Sequence, residues 1–198
     1  MAITGEMVKQ LRQATGAGVL DCRNALAECA GDFDKAAELL RRKGLAAAEK
    51  KASRAANQGI IGHYVHTGAK VAALVELNCE SDFVAMNQGF VELAHDLAMQ
   101  VVASQPRWVR PEDVPADVLA VERDLYRQQA LAEGKNEKVI ERIVEGRLDK
   151  FYTQYCLLRQ PYIRDQDVSI EDLLKQKISQ FGENIVVRRF VRMAVGES

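Results

Sequence analysis

Residues 59–78 alternate strand-forming and polar residues around one short turn, and no other stretch constrains the fold as tightly. Residues 59–66 are rich in β formers and Thr67-Gly68-Ala69 supplies the turn. Residues 70–78 return with Val71, Ala73, Val75 and Leu77 on one face. Two such runs joined by a glycine-bearing turn predict a hairpin. Its second strand ends in Asn78-Cys79-Glu80-Ser81-Asp82-Phe83-Val84, an acidic, hydroxyl-bearing corner. A helix follows, with Phe90, Leu93, Ala94, Leu97 and Val101 as its apolar stripe.

The rest of the chain fits around that hairpin. Helices are expected over residues 116–133, from the Asn136 cap onward, and over residues 170–181. The last strand, residues 184–193, places Ile185, Val187, Val191 and Met193 on one face, with Arg189 as the exception. The predicted fold class is α+β: a three-stranded antiparallel sheet covered on one side by helices. The other face is left for solvent or a second subunit.

Three short helices precede this core. Thr4 caps the first, which carries Met7, Val8, Leu11 and Ala14; Thr15-Gly16-Ala17-Gly18 breaks it. The second has Leu20, Leu26 and Cys29 as apolar positions. Asp32 caps the third, which buries Phe33, Ala36, Ala37 and Leu40 and stops at Gly44. The expected organisation is a three-helix domain over residues 1–45, a solvated helical linker over 46–58 and an α+β core over 59–198.

Bulk properties narrow the function. The formal net charge is -1 over 198 residues, which argues against a generic phosphate-backbone binder and so against direct nucleic-acid binding. No apolar run approaches the roughly 20 residues a bilayer span needs. The first residues show neither a basic nor an apolar signal region, so a soluble, cytoplasmic protein without a membrane partner is expected. Cys22, Cys29, Cys79 and Cys156 have no CxxC spacing, and reduced thiols are expected.

Signatures of catalysis are missing. Thr15-Gly16-Ala17-Gly18 lies between helices and lacks the lysine of a phosphate loop. His63 and His66 point to opposite faces of a strand, a poor arrangement for a shared metal. No nucleophile–base motif is present, and no metal or cofactor is expected. Phe83 carries two readings. It can pack on the chain's own core, with Ser81 or Asp82 capping the next helix, and pattern alone favours this. Alternatively it is displayed at the corner as an anchor for another protein.

Several motifs together resemble the elongation factor Ts family. They are residues 11–26 (LRQATGAGVLDCRNAL), the hairpin with the corner at residues 78–85, Glu145-Gly146-Arg147-Leu148, Gln160-Pro161-Tyr162 and residues 182–190. The resemblance spans essentially the whole chain. It implies a ubiquitin-associated (UBA)-like N-terminal bundle and a nucleotide-exchange factor, not an enzyme of bond chemistry. The implied partner is elongation factor Tu, in its GDP-bound and nucleotide-free forms. Ser81, Asp82, Phe83 and Val84 are implied to dislodge the partner's Mg²⁺, while Leu11, Arg12, Val19 and Leu20 grip the partner elsewhere. The short core implies a homodimer through the sheet. Ser81 stands where the family usually has Thr, Val19-Leu20 where it has Met-Met, and Met86 and Asn24 where it often has cations. An adaptor that binds proteins through the bundle, without exchange activity, is the alternative from another class.

Overall fold

The computed structural model describes residues 3–197. Its helices are α1 (Gly5–Thr15), α2 (Val19–Glu28), α3 (Phe33–Lys51), α4 (Asp82–Ala85), α5 (Gln88–Ser104), α6 (Ala116–Ala132), α7 (Glu137–Tyr155) and α8 (Ile170–Phe181). Its strands are β1 (Gln58–Val65), β2 (Val71–Cys79), β3 (Pro161–Tyr162), β4 (Asp165–Ser169) and β5 (Val186–Ala194). The chain divides into two compact units. One holds the segments up to Ile60, Leu77–Phe90 and Asp172–Val186; the other holds Ile61–Glu76, Val91–Glu171 and the chain from Val187 onward.

In the first unit α1, α2 and α3 enclose Leu11, Cys22, Ala25, Leu26, Ala36 and Leu40. Thr4 caps α1 by accepting from Met7 N, and Asp32 caps α3 by accepting from Lys35 N. Both caps follow from short polar side chains placed just ahead of an apolar stripe. Two expected core positions stay outside: Leu20 is exposed and Phe33 is partly so. The helix also does not stop at Gly44. It continues to Lys51, with Gly44 itself buried. A Cβ there would lie 2.9 Å from Ser179 Oγ on α8, so this glycine permits a close helix approach and is not a terminator. Nor is the stretch after Gly44 a free solvated linker. Ala48 is buried, and Asn184 Nδ2 donates to the carbonyls of Ala52 and Arg54.

The three-stranded antiparallel sheet, most of whose residues fall in the second unit, has the order β1-β2-β5. Its inner face turns Ala73 and Val75 inward, and α5 lies against β1. The approach is so close that a Cβ on Gly62 would stand 2.3 Å from Ala94 O. His95 Nδ1 lies 2.9 Å from His63 O, and its ring meets Tyr64 edge-on at 5.6 Å. The alternation of β5 differs from expectation. Val187 is buried, but Val191 and Met193 are exposed, while Phe190 and Arg192 are half-buried. Consecutive Arg188 and Arg189 both reach Glu76, at 3.7 and 2.7 Å. Burial changes phase at this pair, and Val191 and Met193 beyond it are exposed.

Helices α6 and α7 form an antiparallel hairpin around Ala130, Ile140, Val144 and Leu148. A second, two-stranded antiparallel sheet pairs β3 with β4. It is anchored by Tyr162, whose hydroxyl donates to Asp96 Oδ2 at 2.6 Å, and by Gln100, whose side-chain oxygen accepts from Ile163 N at 2.9 Å.

Gly62→Ala and Gly59→Ala are expected to destabilise by about 2 kcal/mol or more each, because the new methyl overpacks backbone. At Gly59 φ is +149°, and a Cβ would meet Leu77 O at 2.1 Å. Gly146→Ala, in the interior of α7 with open space around its Cβ, should instead stabilise by about 0.5 to 1 kcal/mol. Urea midpoints check all three. A further expectation is alkaline: burial, then Asp113 and Glu112, push the Cys156 thiol from 9.0 up to about 11. The folded state favours the neutral thiol, so this contribution is complete below pH 9 and is lost as pH rises through about 11. Cys156→Ala should flatten the fall in unfolding midpoint across that window relative to the parent.

Candidate functional site

The corner after β2 is built from the backbone outward. Leu77, Asn78 and Cys79 are buried as the strand ends. Asn78 Nδ2 donates to Gln58 O at 3.0 Å, which ties the strand end to the start of β1. The Cys79 thiol donates to Ser81 O. Burial, and next the charge of Glu183, push that thiol above its ordinary range, which suits a neutral packing residue.

Ser81 then caps the single turn of α4. It is extended, with φ −132° and ψ 155°, and its Oγ accepts from Val84 N at 3.4 Å. Its own position is held from across the unit by Glu183. One Glu183 oxygen accepts from Glu80 N at 3.1 Å and from Ser81 N at 3.0 Å, and the other accepts the Ser81 hydroxyl at 2.6 Å. The neighbouring residues interlock in the opposite sense. Asn184 N donates to Glu80 Oε1 at 2.6 Å, and Arg54 lies 3.6 Å from the same oxygen.

This frame decides where Phe83 points. Val84 and Ala85 are buried, and they anchor the turn to the interior. Phe83, on the opposite side, is 84% exposed, and Met86 one turn on is 82% exposed. Asp82 is exposed beside them. The ring therefore does not pack on the chain's own core, although the sequence pattern alone leaned that way. Leaving a Phe in water forgoes roughly 1.5 to 3 kcal/mol of burial, and a partner that covers it recovers that free energy. The four corner residues thus split: Ser81 and Val84 hold the turn, while Asp82 and Phe83 are displayed.

The second group lies at the α1–α2 turn. Gly16, in the left-handed region at φ 68°, ends α1, and Gly18 precedes α2. Thr15 Oγ1 donates to Leu11 O at 2.7 Å and accepts from Ala17 N at 3.3 Å, which stiffens the turn. Val19 and Leu20 follow with 55% and 68% of their surfaces exposed, and Arg12 is exposed as well. Leu11 differs from its expected role as a contact residue. It is wholly buried in the bundle core, because it sits on the inward stripe of α1, and it can act on a partner only by supporting this turn.

Local sequence pattern assigns no task to Glu183 or Asn184. The only local signal was an acidic residue just ahead of a strand. The hydrogen bonds span about a hundred positions, with sequence separations of 102 to 104.

Comparison with known proteins gives the family. The family model described as Elongation factor TS matches residues 45–197. An elongation factor Ts of Carboxydothermus hydrogenoformans is 53% identical over 195 residues, covering 98% of this chain and 90% of that one. That of Moorella thermoacetica is 55% identical over 190 residues, with 96% and 94% covered. The Fervidobacterium nodosum protein is 53% identical over 197 residues, with both chains covered completely. The displayed corner, its supporting carboxylate and the α1–α2 turn therefore sit in a chain that belongs to the elongation factor Ts family.

Proposed function

We propose that this chain binds elongation factor Tu in its GDP-bound and nucleotide-free forms and promotes release of GDP. Phe83 enters the partner's GTPase domain, and Asp82 beside it disturbs the groups that hold Mg²⁺ and the nucleotide phosphates. Magnesium supplies much of the charge neutralisation at such a site, so shifting it weakens the nucleotide. Arg12, Val19 and Leu20 grip the same partner away from the corner. The reading is carried by one observation above all, the outward ring of Phe83 on an anchored turn. Nucleotide exchange makes and breaks no covalent bond, so the chain acts as a binding partner and not as an enzyme of chemical transformation. We place it in the cytoplasm, where that partner works. Among the described residues no helix is long and apolar enough to cross a membrane.

A second copy of the chain is the proposed occupant of the outer sheet face. Ile61, Val65, Leu74, Val191 and Met193 are all exposed there. Leu74 alternates on β2 with Glu76, whose carboxylate lies 2.7 Å from Arg189. An apolar face of this kind carrying a charge pair suits a two-fold, self-complementary contact.

Two outcomes test these readings. Phe83→Ala should keep binding to elongation factor Tu within about tenfold but lose most catalysed GDP release, roughly 10²-fold or more, in a stopped-flow assay with labelled GDP. Unimpaired release by the folded variant would remove the wedge, and binding without any release by the parent chain would favour an adaptor. For the sheet, sedimentation equilibrium should show a dimer that Met193→Asp or Leu74→Asp converts to folded monomer. A parent chain that is monomeric at tens of micromolar would remove the dimer.

A further inference from the structure

We infer that Glu183 is a positioning residue for nucleotide exchange: through Ser81 it fixes the turn that aims Phe83. The inference deepens the proposed function and rests on Phe83 being the element that enters the partner.

The geometry isolates the role. Glu183 is half-buried, and its carboxylate accepts from both backbone N–H groups of the corner and from the Ser81 hydroxyl. A carboxylate that receives several donors in a partly dry site is a strong, directional fixture. The hydroxyl it receives has its lone pairs turned to the other side, where Ser81 Oγ accepts from Val84 N. Orientation therefore passes from Glu183 to Ser81 and on to the first turn of α4, and Phe83 is the second residue of that turn. Glu183 meets the corner through Glu80 N, Ser81 N and the Ser81 hydroxyl, so it acts through the turn.

Its base is equally specified. Glu183 precedes Asn184, which is buried and bonded through its backbone N–H to Glu80 and through its side chain to Ala52 O and Arg54 O. Phe181, two residues earlier, packs edge-on against Phe90 with centroids 6.1 Å apart. The carboxylate thus projects from a segment fixed on both sides.

Without the carboxylate, two backbone N–H groups and one hydroxyl lose their acceptor. The corner then populates other turn conformations, in which the ring is no longer aimed. A binding group that is competent only for a fraction of the time acts in proportion to that fraction. Surfaces remote from the corner are unaffected. The signature is a fall in the maximal rate of GDP release, with little change in the concentration of this chain that gives half-maximal rate.

The test is a double-mutant cycle on full-length chain with elongation factor Tu and labelled GDP. Glu183→Ala is expected to lower the maximal release rate about tenfold or more, with half-saturation within about threefold. Glu183→Gln should recover most of the rate, since its amide oxygen accepts the two N–H groups and its amide N–H₂ donates to Ser81 Oγ. In a Phe83→Ala background, Glu183→Ala should add nothing. Melting temperature and far-UV circular dichroism monitor the fold. Should Glu183→Ala fail to fold, Ser81→Ala cuts the same relay at its hydroxyl and enters the same cycle. Full release by Glu183→Ala, or a loss that adds in full to that of Phe83→Ala, would overturn the inference. If Phe83→Ala itself releases GDP normally, the wedge reading fails first, and the cycle separates the two results.

Discussion

A half-buried carboxylate at one end of the chain holds the backbone at a corner roughly a hundred residues away, and the displayed ring depends on that contact. Glu183 satisfies two N–H groups and a hydroxyl that the end of β2 leaves without ladder partners. A strand that turns directly into a helix leaves such donors unpaired, and each would be costly to bury unsatisfied. Answering them with one acidic side chain makes the corner rigid. Rigidity matters because an exposed aromatic on a loose loop finds some way to cover itself. Here Val84 and Ala85 occupy the inward positions and leave the ring none.

Local pattern made much of this architecture legible. The hairpin, the apolar stripe of α5, the caps at Thr4, Asp32 and Asn136, and the extent of α8 all follow from short-range rules that tertiary contacts did not override. What escaped depends on distant partners. Gly44 looks like a helix stop because glycine commonly ends helices, yet a neighbouring helix needs its missing side chain. Strands β3 and β4 carry almost no alternation in Asp165-Gln166-Asp167, and they exist because Asp96 and Gln100 on α5 capture Tyr162 and Ile163. In β5 the misfit of Arg189 was itself the clue. A cation within an apolar alternation marked the change of phase beyond which Val191 and Met193 are exposed.

The candidate site divides along the same line. Its position was readable, since a Phe directly after an acidic corner is conspicuous. Its orientation was not, because pattern cannot tell an inward ring from an outward one when an acidic residue precedes it and apolar residues follow. Which of the flanking residues anchor and which are displayed emerged only from burial. The same holds for Leu11, which shares a motif with exposed Arg12, Val19 and Leu20 but belongs to the core.

The distribution of exposed surface bears on how exchange would be driven. Weakening a nucleotide by roughly 10³ to 10⁴ requires about 4 to 5.5 kcal/mol of coupling. Burying one Phe returns roughly 1.5 to 3 kcal/mol, which falls short alone. The remainder has to come from other contacts that the nucleotide opposes, such as those of the exposed Asp82 beside the ring, because contacts that GDP leaves untouched add nothing to the coupling. Arg12, Val19 and Leu20 on a separate, stiffened turn would hold the partner in either state. On this division the turn supplies standing affinity, and the corner supplies the part that GDP opposes. Reciprocity then requires the nucleotide to expel the corner as strongly as the corner expels the nucleotide. A fixed ring is suited to this exchange: its entropy was already spent on folding, so little of the partner's distortion is consumed in ordering it.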